Sequence, residues 1–398
     1  MRTEPPGGPR LPGLPLSLRA VPASVANHVR YREFGLSVPD AVFLPPAVAA
    51  LLDGPESDPV EFIEDDNRGA IRPEPSVRWD GLPFYLSVKG VGSPVDPYSS
   101  GPLDGAFAAR LTDDPEVRRR LLAAPAVGSD RMITGELWLK GSPYGGQGEL
   151  HARTALAVSE RAHGTDLAGF RIAPVVKIAF LPERLQERLR EISWYRRYRG
   201  RFVQEFRLVP SNVRIYFHSR STVGTDIRYV FDRFGLDSAA RALGFEVRFV
   251  RSVLPLLTLF ARTLVRRPPG DRYSGLDFHD VWLDKDAVLA PDGTVYFVDL
   301  EGIEPVSVEA SEVPGRIEDQ VYRSLYEFSF AFEQIEGERR RRFGGIGGRR
   351  DHFERVAREA LRDDPFLRLC PDGAGLALEI RNALGEESLN IRFPWLDR

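Results

Sequence analysis

The stretch FYLSVKGVGSPVDPYSSGPLDG, residues Phe84 to Gly105, joins a short apolar strand to a run rich in Gly and Pro. The strand ends on Lys89, one of only four lysines in a chain with 54 basic residues. A lysine is a compact charge on a flexible stem, and small residues after it let the backbone approach a ligand closely. The stretch therefore predicts a strand end that contacts phosphate, with a surface hairpin carrying an ordinary lysine as the alternative.

Two later stretches carry the same kind of chemistry. In RLVPSNVR, two arginines stand seven residues apart at Arg207 and Arg214, and their forked guanidinium groups suit phosphate oxygens. The segment HDVWLDKDAV is followed by VYFVDLEG, so that Asp286 and Asp299 flank a predicted hairpin around APDGT. Carboxylates in these positions suit a divalent metal that neutralises phosphate charge.

Together these segments resemble the KGxG…PYSxGxxDG, RxAPSxxR and HGVxNTDN signatures of the selenoprotein O family, followed by its later metal-binding Asp. The likeness runs roughly from Leu82 to Gly302, about half of the chain. Members of this family have a protein-kinase-like fold, bind ATP in a flipped orientation and transfer AMP to protein hydroxyls. The resemblance implies an α+β, bilobal protein-kinase-like fold with a mixed N-lobe and a mainly helical C-lobe. It also implies ATP with Mg²⁺ or Mn²⁺ as cofactors, and a hydroxyl-bearing protein or small molecule as acceptor.

The resemblance assigns roles residue by residue. The residues that it assigns to nucleotide binding are Lys89, Gly90, Gly92, Asp104, Gly105, Glu149, Arg207 and Arg214. The metal ligands are Asp286 and Asp299. Glu149 is the best partner for Lys89, with Glu160 behind it, and Lys140 is the rival phosphate-contacting lysine because glycines follow it too.

The chain departs from the family pattern at the catalytic loop. Lys285 stands where the family has its catalytic Asp, and Asp286 where it has Asn. Asp284 is the candidate base, with Asp280 close by, and geometry decides whether either reaches the substrate. The family's YAGHQFG-type segment has no counterpart here, and its carboxy-terminal redox pair is missing because Cys370 is the only cysteine.

Composition narrows the function classes. A net charge of −3 gives no overall field that would favour nucleic acid, and a single cysteine excludes a disulfide framework. The six histidines show no metal-ligand spacing. The longest apolar run, Val253 to Val265, is too short for a membrane span and contains Arg262. No secretory signal is evident, so a cytoplasmic protein without membrane contact is expected.

The expected organisation has three parts: a Pro/Gly-rich extension over 1–75, an N-lobe over 76–215 with an insertion at about 106–148, and a C-lobe over 216–398. Within the first part, residues up to about 25 are expected to be poorly ordered, 39–53 to form a short helix and 61–76 a connector rich in loops. After about Asp237, helices with one embedded hairpin are expected, including one helix over 248–267.

Four functions remain open from the sequence. The favoured one is AMP transfer to a hydroxyl acceptor. The others are a phosphotransferase with ordinary ATP orientation, a nucleotide-binding pseudoenzyme favoured by Lys285, and an Arg-rich module that binds RNA or protein without catalysis. The basic runs WYRRYRGR (194–201) and ERRRRF (338–343) motivate the last, with solvated helix faces as their alternative.

Overall fold

The computed structural model has an α+β fold, with strands concentrated early in the chain and helices later, as predicted. It describes residues 9–11, 15–26, 36, 39–44, 46–49, 52, 57–65, 69–79, 81–91, 147–164, 171–191, 200–215, 227–267, 272–278, 283–300, 303–345, 347–372, 375–381 and 388–393. The chain divides into two compact units. The first comprises Met1–Ser159, Ala173–Asn212 and Arg220–Val223, and the second Glu160–Ile172, Val213–Ser219 and Gly224–Arg398.

A large antiparallel sheet dominates the first unit. Its strands are β1 (Pro15–Pro22), β2 (Val25–Ala26), β3 (Ala41–Leu44), β4 (Pro59–Asp65), β5 (Gly69–Ile71), β6 (Val77–Trp79), β7 (Leu82–Lys89), β8 (Gln147–Gly148), β9 (Val175–Phe180) and β10 (Phe202–Val209). The helices near it in sequence are α1 (Pro46–Ala49), α2 (Glu149–Gly164) and α3 (Glu183–Glu191). The strand order is β2-β9-β10-β7-β5-β4-β1-β3, with β6 paired to β7 and β8 to β10.

This sheet closes on itself. Strands β1 and β2 follow one another along the chain, yet β1 pairs with β4 and β2 pairs with β9 at the other end of the strand order. The backbone N–H of Phe180 also donates to the carbonyl of Ser24, at 2.8 Å, in the link between β1 and β2. The enclosed side packs aromatic rings, with the Phe43 centroid 5.0 Å from Phe62 and 5.9 Å from Phe206.

Several sequence predictions for the amino-terminal 75 residues are wrong. The part of 1–25 that the structure describes contains β1, and the expected connector over 61–76 contributes β4 and β5 to the sheet. The stretch expected as an extension therefore supplies five strands of the first unit. Pro15 and Pro22 stand at the two ends of β1 and Pro59 begins β4, where proline is tolerated in a strand. The helix expected over 39–53 is replaced by β3 and the four-residue α1.

Helices and three small sheets make up most of the second unit. The helices are α4 (Ile227–Arg233), α5 (Ala239–Leu257), α6 (Leu259–Thr263), α7 (Leu283–Asp286), α8 (Val313–Phe343) and α9 (Arg349–Ala360). The strands are β11 (Val265–Arg267), β12 (Arg272–Asp277), β13 (Ala287–Leu289), β14 (Val295–Phe297), β15 (Glu304–Glu309), β16 (Leu367–Asp372), β17 (Gly375–Arg381) and β18 (Ser388–Arg392). They pair as β11-β12-β15, β13-β14 and β16-β17-β18.

The single helix expected over 248–267 is interrupted. Ser238 caps the amino end of α5, because its hydroxyl accepts from the backbone N–H of Arg241. Pro255 lies in the last turn, and α5 ends at Leu257 while β11 begins at Val265. The carbonyl of Pro255 accepts from both the backbone N–H and the hydroxyl of Thr258, which closes the turn. The expectation of a single hairpin in this part of the chain was also wrong, because the other two sheets were not predicted.

Helices α5, α8 and α9 share a buried ionic cluster. Glu246 accepts from Arg339 Nε and from His352 Nε2, both at 2.8 Å, and both Glu246 and His352 are almost fully buried. Arg355 Nη2 lies 2.9 Å from His352 Nδ1, and a guanidinium can only donate. Nε2 of the same ring lies 2.8 Å from Glu246 and 3.3 Å from Arg339 Nη2, so both ring nitrogens of His352 contact the charged groups of the cluster.

Candidate functional site

Lys89 is the last residue of β7 and is half-buried. In the ladder it lies directly between Gly69 of β5 and Glu205 of β10. Gly90, which follows it, has a φ of 91°, a conformation that favours glycine, and its carbonyl accepts from Gln204 Nε2 at 3.3 Å. The strand therefore turns sharply after Lys89, as the Gly-rich sequence predicts.

A row of polar side chains shares the face of the sheet that carries Lys89. Side chains two residues apart on a strand, and directly opposite across a ladder, project from the same face. Glu205 and Arg207 are such a pair on β10, and Lys89 and Ser87 lie opposite them on β7. Glu205 Oε1 forms an ion pair with Arg207 Nη2, and both side chains are buried, with 0% and 5% of their area exposed.

Helix α2 packs on this same face. Ala152 and Leu156 of α2 contact a small apolar cluster with Ile178, Phe180 and Val203 of the sheet. Since Ile178 lies opposite Glu205 in the ladder, the helix covers the part of the face beside the charged row. The first unit thus combines a strand that ends in lysine with one helix on the same side of its sheet.

Glu149 is the first residue of α2 and is bonded to arginines. Arg201 donates two hydrogen bonds to its carboxylate, both at 2.9 Å, and Arg153 Nε donates at 2.8 Å. These arginines, with Arg201 the largest cause, lower the pKa of Glu149 to about 2. The pairing of Lys89 with Glu149 stays a prediction, and the acidic residue directly opposite Lys89 in the ladder is Glu205. The sequence carried a signal for this, since Glu205 lies in the apolar run FVQEFRLV.

The hairpin β13–β14 brings the two proposed metal ligands to one end. Asp286 immediately precedes β13 and is buried, and Asp299 follows β14 by two residues and is half-buried. The backbone N–H of Val298 donates to the carbonyl of Asp286 at 2.8 Å, which extends the ladder to the residue before Asp299. This arrangement was predicted from the Pro-Asp-Gly turn and the flanking apolar strands.

The other end of this hairpin is fixed against α5. Gly293 has a φ of 97°, and a Cβ built on it would lie 2.4 Å from the carbonyl oxygen of Phe245. Ser252 Oγ accepts from the backbone N–H of Val295 at 3.0 Å. Only glycine suits both the turn and this close approach, so the packing of the turn fixes the position of the hairpin in the second unit.

Backbone from two other segments flanks the hairpin. Arg214 forms an antiparallel bridge with Val288 of β13, and Ile172 forms a parallel bridge with Phe297 of β14. Arg214 therefore lies beside the strand that begins after Asp286. Arg207, its predicted companion, belongs to β10 in the first unit.

Several predicted residues lie outside the described part of the chain. These are Gly92, Asp104, Gly105, Lys140 and Asp280, together with the insertion at 106–148 except its last two residues. Asp284 and Lys285 belong to α7, but their side chains also fall outside it. The amino end of α7 is held by Glu327, whose Oε2 accepts from the backbone N–H of Leu283 at 2.8 Å.

The donor set at the hairpin fits Mg²⁺ or Mn²⁺ bound together with phosphates. Across the described ranges, no three His, Cys, Asp or Glu side chains cluster as a metal cage. Magnesium commonly uses one or two carboxylates, with substrate phosphates and water completing its octahedron. Asp286 and Asp299 lie at one end of the hairpin and offer two carboxylates, a donor set that suits such binding.

The arginines of ERRRRF are used within the fold. Arg339 bonds to Glu246, Arg340 to Glu336, and Arg341 and Arg342 to Glu338. Arg342 also bonds to Asp232 at 2.7 Å. Its hydrogen bonds to Asp232 and, next in size, to Glu338 raise the pKa of Arg342. Intramolecular pairing supports the reading of this run as part of the fold.

No family model matches the chain, and neither a curated protein nor a solved structure matches it. Among the helices that the structure describes, none is both long enough and apolar enough to span a membrane.

Proposed function

We propose that this chain is an ATP-dependent transferase with a kinase-like bilobal arrangement, which uses a divalent metal to move AMP to a hydroxyl acceptor. The observation that carries the proposal is the end of the β13–β14 hairpin. There the hydrogen bond from Val298 to Asp286 brings Asp286 and Asp299 to one end of a short ladder. A kinase-type metal site needs an acidic or amide ligand at the end of the catalytic loop and an Asp after the next strand.

Asp286 and Asp299 would hold the metal, which supplies charge neutralisation to the phosphates when bound. The burial of Asp286 and the contact of Gly293 with α5 support a rigid ligand set. Positioning and electrostatics supply most of the catalysis in this kind of transfer, so rigidity matters here.

Lys89 would contact the phosphates in this proposal. Lys89 ends β7 and is followed by Gly90, which has a positive φ. Because Gly90 has no side chain, it does not crowd the side chain of Lys89. Glu205 lies directly opposite, and an adjacent carboxylate is the feature that orients the phosphate lysine in kinase-like sites.

AMP transfer, as opposed to phosphoryl transfer, rests on the resemblance to selenoprotein O. In a flipped ATP the β- and γ-phosphates need cations, and the resemblance offers Arg207 and Arg214. The position of Arg214 beside β13 supports its part in this assignment, since the strand begins next to Asp286.

Asp284 is the proposed base that accepts the proton of the attacking hydroxyl. Lys285 favours a second candidate function, a nucleotide-binding pseudoenzyme, because it occupies the position of the catalytic Asp in the family pattern. An ammonium group cannot accept that proton while it is charged.

Transfer from labelled ATP tests the proposal. The purified protein is incubated with Mg²⁺ or Mn²⁺ and ATP labelled at the α- or γ-phosphate, with itself and a mixture of hydroxyl-bearing proteins as acceptors. We expect α-label in protein and none from γ. Asp299→Asn should lower transfer about a hundredfold or more, since changes even to partners of metal ligands cost about 10–100-fold. Asp292→Asn, at the turn end of the same hairpin, is the matched control and should transfer normally.

Each other outcome replaces the proposal with a named alternative. Transfer of γ-label alone identifies a phosphotransferase. ATP binding without transfer of either label identifies the pseudoenzyme, and absence of ATP binding leaves the interaction module. Full activity of Asp299→Asn with metal still required would remove Asp299 from the site.

A further inference from the structure

A groove at the carboxy-terminal end of α9 is lined by four arginines. Its volume is about 360 Å³, and it lies among α9, residues 361–366 and strands β16 and β17. The arginines are Arg358, Arg362, Arg368 and Arg381. Apart from Asp364, the rest of the lining is apolar and consists of Leu361, Pro365, Phe366, Leu367 and Leu369. The groove belongs to the second unit and includes none of the residues assigned above to nucleotide or metal.

Three of these arginines are held by exposed ion pairs. Arg358 bonds to Glu354 at 2.6 Å, Arg381 bonds to Glu379 at 3.1 Å, and Arg362 bonds to Glu359. Ion pairs at the surface are weak, because water and salt screen them. A ligand with more charge than a carboxylate can therefore replace the carboxylate at these guanidinium groups.

Asp364, the one carboxylate among the described lining residues, already serves the turn before β16. Its Oδ1 accepts from the backbone N–H groups of Phe366 and Leu367, at 2.8 and 3.0 Å. The lining residues of the groove therefore carry four guanidinium charges and a single carboxylate charge.

Arg368 is the arginine of the groove that has no bonded partner among the described residues. Directly opposite it in the β16–β17 ladder is Glu379, the partner that a cross-strand ion pair would use. The carboxylate of Glu379 is instead bonded to Arg381, and it accepts from the Cys370 thiol at 3.5 Å. Arg368 is exposed and makes no hydrogen bond or salt bridge to any described residue. Its guanidinium keeps all five N–H donors for water or a ligand.

We propose that this groove binds a phosphate-bearing ligand, with Arg368 and Arg381 on the phosphate oxygens and Arg358 and Arg362 beside them. A phosphate monoester carries close to two negative charges and three strong acceptor oxygens, so it can engage several guanidinium forks at once. A carboxylate ligand would offer no more than the glutamates already present. The apolar lining around Phe366 accommodates the group that carries the phosphate.

The alkylation rate of Cys370 can report whether an anion occupies the groove. This residue is the only cysteine in the chain, and it stands on β16 two residues from Arg368. Burial and the bond with Glu379 raise the pKa of its thiol, while the charges of Arg368 and Arg358 act in the opposite direction. An anion bound to these arginines cancels their effect, so less thiolate forms and alkylation slows.

The experiment measures the rate at which iodoacetamide, a neutral reagent, alkylates Cys370 at pH 8 and constant ionic strength without divalent metal. Tripolyphosphate and a phosphoserine hexapeptide are titrated separately, with chloride and the unphosphorylated peptide as controls. We expect at least one phosphate compound to slow alkylation saturably, by about threefold. The more effective one identifies the source of the phosphate.

Two arginine variants localise the effect. Arg368→Gln breaks no internal hydrogen bond and should abolish the slowing, whereas Arg392→Gln should retain it. Arg392 is also exposed in this sheet but is bonded to Asp372 and lies outside the groove. The proposal is overturned if neither phosphate compound acts beyond its control, or if the two variants behave alike. Asp299→Asn should keep the slowing of alkylation. Phosphate binding in the groove can therefore be tested even if the transferase proposal fails.

Discussion

The two faces of the central strands in the first unit differ in how they accommodate charged side chains. Lys177 of β9 lies opposite Phe206, while Lys89 of β7 lies opposite Glu205, the neighbouring residue on β10. Because neighbours on a strand project to opposite faces, the two lysines are separated by the sheet. Lys177 is almost fully buried, and its ammonium donates to the carbonyl of Pro39 and sits 4.6 Å from the ring centroid of Phe206.

The enclosed face uses its polar groups to hold the fold together. Gln204 donates to the carbonyl of Phe43 at 2.6 Å and accepts from its N–H at 2.7 Å, which ties β3 to β10. The face with Lys89 instead buries an ion pair, Glu205 with Arg207. A buried ion pair seldom stabilises a protein more than apolar side chains of the same volume would. The comparison shows that the first face uses polar groups to tether strands and holds one buried lysine, whereas the second holds a buried ion pair beside Lys89.

The largest expected effect comes from breaking the buried pair. Glu205→Ala leaves the guanidinium of Arg207 buried without its carboxylate and should lower the free energy of unfolding by about 3–5 kcal/mol. Urea unfolding measures it. Glu61→Ala is the control, since Glu61 pairs with Arg10 at the surface and should cost less than about 1 kcal/mol. Replacing both Glu205 and Arg207 with Met should restore stability but not activity. Equal losses for Glu205→Ala and Glu61→Ala would contradict this contrast.

Next in size is the response of Lys177 to pH. Burial lowers its pKa from 10.5 to about 8, partly opposed by Asp40. The unfolded chain therefore binds this proton more tightly, so the free energy of unfolding should rise by about 3 kcal/mol between pH 8 and pH 10.5. Lys177→Met removes this rise, and Lys89→Met should keep it. Urea midpoints at pH 7, 8.5 and 10 check the prediction, which fails if the wild type and Lys177→Met have the same pH dependence.

The smallest change in stability, and the one tied to function, is expected at Lys89. Lys89→Ala should weaken ATP binding about tenfold or more, because hydrogen bonds to charged groups contribute about 1.5–3 kcal/mol. Its free energy of unfolding should fall by less than about 1 kcal/mol, since the side chain is half-buried at a strand end. Calorimetric titration with ATP and Mg²⁺ measures the affinity, and Lys177→Met should bind normally. Weaker binding in Lys140→Ala but not in Lys89→Ala would transfer the role to Lys140.

Strong local patterns were enough to predict the central strands and the main helices. The apolar run of β7, the Pro-Asp-Gly turn between β13 and β14 and the amphipathic repeat of α8 each set their own conformation. The amino-terminal strands were missed because proline and glycine lower strand propensity, while their pairing partners lie far along the chain. Strands β16 and β17 were missed although Asp372-Gly373 between them is a hairpin signal.

For the site, the sequence predicted that a short hairpin with a Pro-Asp-Gly turn separates Asp286 from Asp299. It could not predict that Glu205 lies opposite Lys89, since register between strands more than a hundred residues apart depends on the whole sheet. The pairing of Glu149 with Arg201 was equally unpredictable, because Arg201 lies 52 positions away, whereas Arg153 is four residues on in the same helix. The local sequence determines local geometry, whereas the packing of distant segments determines which charged side chains pair across the fold.

The closed sheet of the first unit also dictates the order of events during synthesis. Strand β10, which pairs with both β7 and β9, is its last strand to leave the ribosome, ending at Val209. At about 5–20 residues per second, β1 waits for about 10–40 s before the sheet can close. During this interval Leu18, later fully buried, belongs to an incomplete sheet on a nascent chain. Chaperone demand should therefore peak while the first half of the chain is being translated, and slowing translation before Val209 should increase aggregation.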